Sequence, residues 1–337
     1  MGRQASHSAP RSRYGPGVRF VHGFISVVLW IIAIPLLVVA AARALPFDDV
    51  VPLPHLVAFT PWATLVTLPL LIVALFSRRW LLSLLLTAAL AGYVYWTAPF
   101  FVPPDTSTAA DPADPGTVRV MTINALYGRA DAESVVHLVE SQHVEVLSVQ
   151  ELTPAFTEAL TDAGLDELLT HSLTVPVADS PAGSGLWSST PLTEEDQLAG
   201  TSFAMPSALV AAGGTDVRVT VVHPHPPMPT DITTWRTELV ELTEQVHADD
   251  TPQILAGDFN ATYDHAGFRD LLGSRFWDAT REWGAGPAVT WPEGSQVPPL
   301  FALDHVVVER DMPVSDVVTM QVPGTDHRAL VATVVVE

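Results

Sequence analysis

The hydrophobic pattern divides this chain in two. Over the first hundred residues the apolar positions run on without a period: from about Phe20 to Ala42, from about Leu56 to Phe76, and from about Trp80 to Ala98. About 20 continuous apolar residues match the hydrocarbon thickness of a bilayer, so each run predicts a transmembrane helix. Pro35 within the first run is tolerated in a membrane, and Tyr93, Tyr95 and Trp96 near the end of the third fit an interfacial belt. The first run is too long for a signal-peptide core and no clear cleavage site follows it. Phe101 to Gly116 is rich in Pro, Asp, Ala and Thr with no apolar period, and reads as a spacer between a membrane region over 1–100 and a folded domain over 117–337.

Beyond the spacer the pattern becomes short and strand-like. Val118 to Asn124 alternates apolar and polar positions, as a half-buried strand does. Asp131 is placed to cap a helix reaching about Gln142, with Val135, Val136, Leu138 and Val139 inward. Val144 to Gln150 then predicts a strand that delivers Glu151 at its end, and Gly183 to Ser189 a further short strand. Val217 to Val222 is β-branched and stops at His223-Pro224-His225-Pro226-Pro227, because proline cannot extend a ladder. A helix capped by Thr230 or Asp231 follows, with Trp235, Leu239, Leu242 and Val246 on one face. Ile254 to Ala256 climbs to Gly257 and delivers Asp258 and Asn260. As strand residues these two point the same way; the alternative is a strand closed by an Asx turn. His265 to Leu272 predicts a short helix. Trp277 to Gln296, with Trp283 and Trp291, reads as a loop forming a rim. Phe301 to His305 leads into Val306 to Val308, and Gly324 to Arg328 precedes a closing strand from Ala329 to Val336. Strand, helix and strand with polar residues at the strand ends predict an α/β layered domain whose site lies along one rim.

Charge sharpens the division. The chain has 337 residues, 16 basic and 37 acidic side chains, a net charge of -21 and no cysteine. Seven of the arginines but only two acidic residues, Asp48 and Asp49, fall in the first hundred positions. Arg3, Arg11, Arg13 and Arg19 before the first run, and Arg78-Arg79 between the second and third, belong on the cytoplasmic side. Three crossings then place the N-terminus in the cytoplasm and the following domain outside it, as a multi-pass protein of the cell membrane. The acidic domain repels polyanions at long range, although a bound divalent cation can reverse the local field. Without cysteine, disulfides, thiol catalysis and thiolate-bound zinc are excluded.

The polar residues at the predicted strand ends are Asn124, Glu151, His223, Asp258, Asn260, Asp304, Asp326 and His327. Carboxylate and amide oxygens suit Mg2+ or Mn2+, and a histidine held by a carboxylate is fixed in one tautomer. Together they are the groups that in-line attack of water on a phosphodiester requires. His305 alternates away from Asp304 and reads as structural; His137, His143, His171, His247 and His265 read as ordinary surface or helix histidines.

In order and composition these motifs resemble the endonuclease/exonuclease/phosphatase superfamily: Asn124, Gln150-Glu151, His223, Gly257-Asp258-Phe259-Asn260, Leu303-Asp304-His305 and Thr325-Asp326-His327. The resemblance implies a DNase I-like four-layer α/β/β/α sandwich behind three transmembrane helices. It implies Glu151, with Asp326 and Asn124, near a metal ion, and Asn124, Asn260 and His223 around the phosphate. It implies a catalytic set of His223, Asp258, Asn260, Asp304 and His327, with Asp304 paired to His327. The His-Pro-His-Pro-Pro string resembles a bacterial membrane-tethered subgroup. Expected substrates are nucleic acid, a phospholipid head group or a small phosphodiester, and no protein partner is expected. Leu126 stands where many relatives carry an acidic residue, which argues against a second metal. It is also the one feature favouring the alternative, a catalytically inactive tethered binding protein that retains the fold.

Overall fold

A computed structural model describes residues 16–46, 48–102 and 116–336. Arg3, Arg11 and Arg13 and most of the expected spacer lie outside the described residues.

The first hundred residues form a helical bundle. Its helices are α1 (Pro16–Ala44), the short α2 (Leu53–Val57), α3 (Thr60–Phe76) and α4 (Trp80–Thr97), followed by a 3-10 turn at Ala98–Phe101. Small and apolar residues such as Ala33, Ala63, Ala74, Leu86 and Tyr93 fill its centre. Tyr93, expected in an interfacial belt, is instead a core residue whose hydroxyl donates to the Leu36 carbonyl. The expected count of three membrane-length helices is corrected to two. Gly23–Ala44 and Trp80–Phe101 each supply 22 residues of sufficient length and apolarity. The middle run is broken near its start, where α2 ends at Val57 and Pro61 opens α3, which leaves α3 with 17 residues. That is about 25 Å of helix, at the lower limit of what crosses a hydrocarbon core of about 30 Å.

Residues 117–336 form two six-stranded sheets. The first contains β1 (Thr117–Asn124), β2 (Val146–Gln150), β3 (His171–Val175), β4 (Ser184–Ser188), and two later strands, β11 (Val314–Gln321) and β12 (Arg328–Val335), in the order β11-β12-β1-β2-β4-β3. The second contains β5 (Leu192–Gln197), β6 (Pro206–Ala212), β7 (Thr215–Val222), β8 (Gln253–Asp258), β9 (Phe276–Asp278) and β10 (Asp304–Glu309), in the order β5-β6-β7-β8-β10-β9. Each sheet holds one parallel pair, β1 with β2 and β7 with β8. A helix crosses over each pair, α5 (Ala132–Ser141) and, after α6 (Pro154–Asp162) and α7 (Leu165–Leu168), α8 (Ile232–Ala248). Asp131 caps α5, as the sequence predicts, and Asp231 caps α8, where the sequence left the choice between Thr230 and Asp231.

Alternation along the strands builds the layers. Val118, Val120, Val219, Val221, Ile254 and Val306 meet between the sheets. Met121, Ile123, Leu147 and Val149 pack outward under α5 and α6. Val222, Leu255 and Val307 pack outward under α8 and α9 (Ala266–Leu272). The result is helix, sheet, sheet, helix. The segment expected as a rim loop over Trp277–Gln296 is partly regular: it completes β9 and forms α10 (Ala279–Trp283), capped by Asp278.

The bundle does not hang from a spacer; it docks on the sandwich. Arg43 at the end of α1 bonds Asp264 at 2.5 Å, both buried. Asp48 and Asp49, in the loop after α1, accept from the Gly267 N–H at 2.8 Å and from Arg236 at 3.1 Å. Trp62 Nε1 donates to the Leu300 carbonyl at 2.8 Å, and Phe59 meets Phe301 edge-on. Phe100, after α4, stacks edge-on with Tyr263. Removing one partner of a buried ion pair strands the other charge at a cost of about 3–5 kcal/mol. Asp264→Ala in the detergent-solubilised full chain is therefore expected to lower the thermal unfolding midpoint by several degrees; an unchanged midpoint would contradict this docking.

Candidate active site

The site forms where the carboxyl ends of both parallel pairs meet, the position at which α/β sheets present loops and ligand groups. Asn124 ends β1 and Glu151 follows β2, while Asp258 ends β8 and His223 follows β7. Asp304 opens β10 directly opposite Asp258 in the antiparallel register. His327 immediately precedes β12, beside β1, and Thr325 Oγ1 ties that corner to the Asn124 carbonyl at 2.7 Å.

Local sequence explains the placement. At Gly257 a Cβ would lie 1.9 Å from the Val222 carbonyl oxygen, so only glycine lets β8 approach β7 closely enough to set Asp258 near His223. The strand ends at Asp258, and Asp258 Oδ1 accepts the Asn260 N–H at 2.8 Å. Asn260 therefore reaches the site through an Asx turn with φ of 48°, not by strand alternation. Its Nδ2 donates to the Pro224 carbonyl at 3.0 Å, tying it to the His-Pro loop. Glu151 also sits at positive φ, 56°, a conformation that non-glycine residues adopt at a cost and that recurs at functional sites.

One polar seam joins the two sheets. His327 Nδ1 donates to Asp304 Oδ2 at 2.7 Å, and its Nε2 lies 3.7 Å from Asp258 Oδ2. Asn124 Nδ2 donates to Asp258 Oδ2 at 3.0 Å and to Glu151 Oε1 at 3.2 Å. Behind them Ser148 Oγ donates to the Ala256 carbonyl at 2.8 Å, and Gln150 Nε2 donates to Ser148 Oγ at 2.8 Å. Burial disfavours a charged His327, but Asp304 and Asp258 outweigh it and raise its pKa to about 10. Burial pushes Asp258 up, and the neighbouring Asp304 adds to this against the pull of His327. Burial, reinforced by the charge of His327 against the opposing pull of Asp258, brings His223 down to about 4 and leaves it neutral. Burial also raises Glu151, partly offset by the N–H of Tyr127.

These side chains line a cleft of about 550 Å³ that contains Asn124, Glu151, His223, Asp258, Asn260, Asp326 and His327. Asp304 stands behind His327 and does not line it. Glu151, Asp258 and Asp326 line the cleft with carboxylate oxygens, the ligand type that Mg2+ or Mn2+ takes. Asp258, Asp304 and His327 also lie within reach of one ion. His327 Nδ1 already occupies Asp304 Oδ2, while Glu151, joined to Asp258 through the Asn124 amide, offers a further carboxylate on the open side of the cleft. Asn124, expected near the metal, offers its Oδ1 to the Leu126 N–H at 2.9 Å and its amide hydrogens to two carboxylates. These bonds hold Asn124 between Glu151 and Asp258.

Several residues were missed by sequence reasoning. His265 is buried, accepts the Thr262 N–H on Nδ1 at 2.9 Å and donates from Nε2 to the Pro54 carbonyl at 2.9 Å, holding α2 against the cleft. Glu238, inside α8, accepts the N–H groups of His225 at 2.6 Å and Ser202 at 2.7 Å, which fixes the His-Pro loop. Nothing in its helical pattern marks it. Trp291 lines the cleft and donates to Asp326 Oδ2 at 3.0 Å. His225 is outside the cleft lining, its Nδ1 on the Pro226 carbonyl at 2.9 Å. His305 faces away from the cleft, as alternation predicts, bonding Asp278 Oδ2 at 3.0 Å and the Ala261 carbonyl at 2.9 Å.

The two-sheet architecture with this rim of acids, amides and histidines is that of a DNase I-like phosphoesterase fold. The sequence matches the Endonuclease/Exonuclease/phosphatase family over residues 121–327, more than half of the chain, and the protein belongs to that family. Members are generally dependent on divalent metal. A humanized D. rerio TDP2 carrying 14 mutations superposes with a TM-score of 0.55 at 14% identity, covering 65% of this chain and 99% of that one. An endonuclease/exonuclease/phosphatase family protein from Leptotrichia buccalis gives 0.52 at 12% identity, over 64% and 99%. D. rerio TDP2 complexed with a single-strand DNA product gives 0.51 at 15% identity, over 65% and 98%. At such identities the likeness establishes the fold. No curated protein matches by sequence.

Burial opposes a charge on His305, but Asp278 and the Ala261 carbonyl raise its pKa above the unfolded value. The stability this adds is complete below about pH 6.5, the unfolded value, and is lost as pH rises through the folded one. The stability advantage of wild type over His305→Gln is thus expected to shrink as pH climbs from about 6.5. Thermal unfolding across a pH series checks this, and a pH-independent difference would contradict it.

Proposed function

We propose that the chain is a membrane-anchored, divalent-cation-dependent phosphoesterase whose substrate carries an apolar portion. The observation that carries the catalytic half is the gathering of Glu151, Asp258, Asn260, His223 and His327 around one cleft. Glu151 and Asp326 would hold a divalent cation beside Asp258, and that ion would supply charge neutralisation at the phosphate. Asp258, fixed by Asn124 and the Asn260 N–H, orients the attacking water and accepts its proton. The His327 imidazolium, held by Asp304, and neutral His223 donate to the phosphate oxygens, and the Asn260 amide positions them. We assign 1–100 to the membrane, 101–116 to the linker and 117–337 to the catalytic domain.

Anchoring is supported by the bundle's exterior. Ile31, Leu65 and Leu84 are 64%, 66% and 66% exposed, and only 17% and 28% of the two membrane-length windows are buried, unlike the core helices of a soluble protein. Arg43 at the end of α1 lies over Trp96 near the end of α4, so the two helices run parallel and α3 returns the chain between them. The Arg78-Arg79 turn then sits at the end away from the sandwich. The positive-inside rule puts it in the cytoplasm and the cleft outside.

The apolar preference is supported by the cleft wall. Pro54, Ala58 and Phe59 of the membrane region line it opposite Pro227 and Met228 of the His-Pro loop, with Trp291 and Phe301 between. A lipid phosphoester fits that surface better than a nucleic acid, which the acidic sandwich repels.

The detergent-solubilised full chain is expected to hydrolyse bis-p-nitrophenyl phosphate with Mg2+ or Mn2+ and to stop in EDTA. Asp258→Ala and His327→Ala should each lower turnover by about 100-fold or more. Turnover equal in the variants, or independent of metal, would favour the inactive binding protein. For the substrate, hexadecyl p-nitrophenyl phosphate should exceed methyl p-nitrophenyl phosphate in kcat/KM by about 30-fold, the gain from burying two or three methylenes. Equal values would remove the lipid reading and leave the phosphoesterase.

A further inference from the structure

A second cavity, of about 340 Å³, lies where the C-terminal ends of α1 and α4 meet the sandwich. It is lined by Arg43, Arg269, Arg281, Tyr95, Trp96 and Tyr263, with Pro99 at its edge, and by no carboxylate. In a chain of net charge -21, three of 16 basic residues converge on one small pocket.

Their charges are incompletely balanced. Arg43 is matched by Asp264, which is buried behind it. Arg269 donates to the carbonyls of Tyr263 and Asp264 and lies within electrostatic range of Asp48 and Asp270, yet Asp48 already accepts from Gly267 and Asp270 is exposed. Arg281 makes no ion pair among the described residues; it stacks over the Tyr263 ring at 4.6 Å, with Glu282 as its nearest acidic neighbour in sequence. Burial, and then the Arg43 charge, disfavour the charged forms of both Arg269 and Arg281. Three guanidinium groups thus share one ion-paired carboxylate, Asp264, with Asp48, Asp270 and Glu282 acting on them only at longer range and none lining the pocket, an arrangement complementary to an anion with several acceptor oxygens.

Position selects the anion. Trp96 is half-buried at the pocket wall, and Tyr95 is 77% exposed beside it at the end of a membrane-length helix. Aromatic residues at such ends lie at headgroup depth. We propose that this pocket binds the phosphate of an anionic phospholipid in the leaflet that faces the catalytic domain. The site is distinct from the catalytic cleft, with which it shares no lining residue. It rests on the membrane placement above and not on the phosphoesterase activity. The bound lipid would neutralise the arginines and hold Tyr263 and Asp264, which follow Asn260 in the chain, against the bilayer.

The test is thermal unfolding of the full chain in neutral detergent, with added phosphatidylglycerol, phosphatidylcholine or inorganic phosphate. Phosphatidylglycerol should raise the midpoint in a saturable way where phosphatidylcholine does not. Arg281→Gln should weaken its apparent affinity about 10-fold, as loss of one charge-assisted contact does, with Arg281→Lys recovering part of it. Arg281 is the informative position because its replacement strands no ion-pair partner, whereas Arg43→Gln would uncover Asp264. No lipid-dependent shift, or a shift untouched by Arg281→Gln, would overturn the proposal. Equal protection by inorganic phosphate, abolished by Arg281→Gln, would overturn the lipid assignment in favour of a soluble phosphate. Carbonate extraction of membranes tests the anchoring alone: a chain released by carbonate yet protected through Arg281 by phosphatidylglycerol would sink the membrane placement and the leaflet assignment while leaving the anion pocket.

Discussion

Asp258 and Asp304 are buried directly across from one another on neighbouring strands, and two unshielded carboxylates cannot share that position without a cation or a donor beside them. The other sheet supplies the answer. His327 enters from the first sheet and places its ring between the two acids, and Asn124 from the same sheet donates to Asp258. The interaction that makes the centre reactive is therefore also one that locks the sheets together at their rim. Gly257 belongs to the same constraint, since without the close approach of β8 to β7 neither Asp258 nor His223 would reach the seam.

The same rim carries the bundle. The segment that follows Asn260 contributes Asp264 to Arg43, His265 to the Pro54 carbonyl and Gly267 to Asp48. The nine residues that follow the Asp258 strand end thus carry contacts to both the cleft and the helices. This links the helical bundle and the cleft physically: the wall of the cleft is built partly from the chain between α1 and α3.

Much of this was legible in the sequence because its signals are local. Asp131 and Asp231 announce their helices by capping, and the β-branched runs announce β7, β10 and β12. The ordered motif set announced the family. What the sequence concealed depends on contacts between distant segments. His265 carries no mark of being the residue that grips Pro54, and Glu238 sits in an amphipathic helix like any other polar position. The strand ending at Asp258 was compatible with two readings for Asn260, and the Asx turn won because Asp258 Oδ1 captures the next-but-one N–H. The middle apolar run looked continuous in composition, while the end of α2 at Val57 and Pro61 at the start of α3 divide it geometrically. Tyr93 was misplaced because end-of-helix aromatic residues do not reveal which way they turn.

The grip of His265 on Pro54 has one more implication. Its imidazole hydrogen, buried beside Trp235, ends on a carbonyl that belongs to the first hundred residues. A fragment cut at the spacer would keep every acid and histidine of the seam, yet would leave that hydrogen unmatched and bare Tyr263 and Phe301 to water. The excised half is therefore not a smaller edition of the same catalyst, because its binding surface has lost a side that only the intact chain can supply.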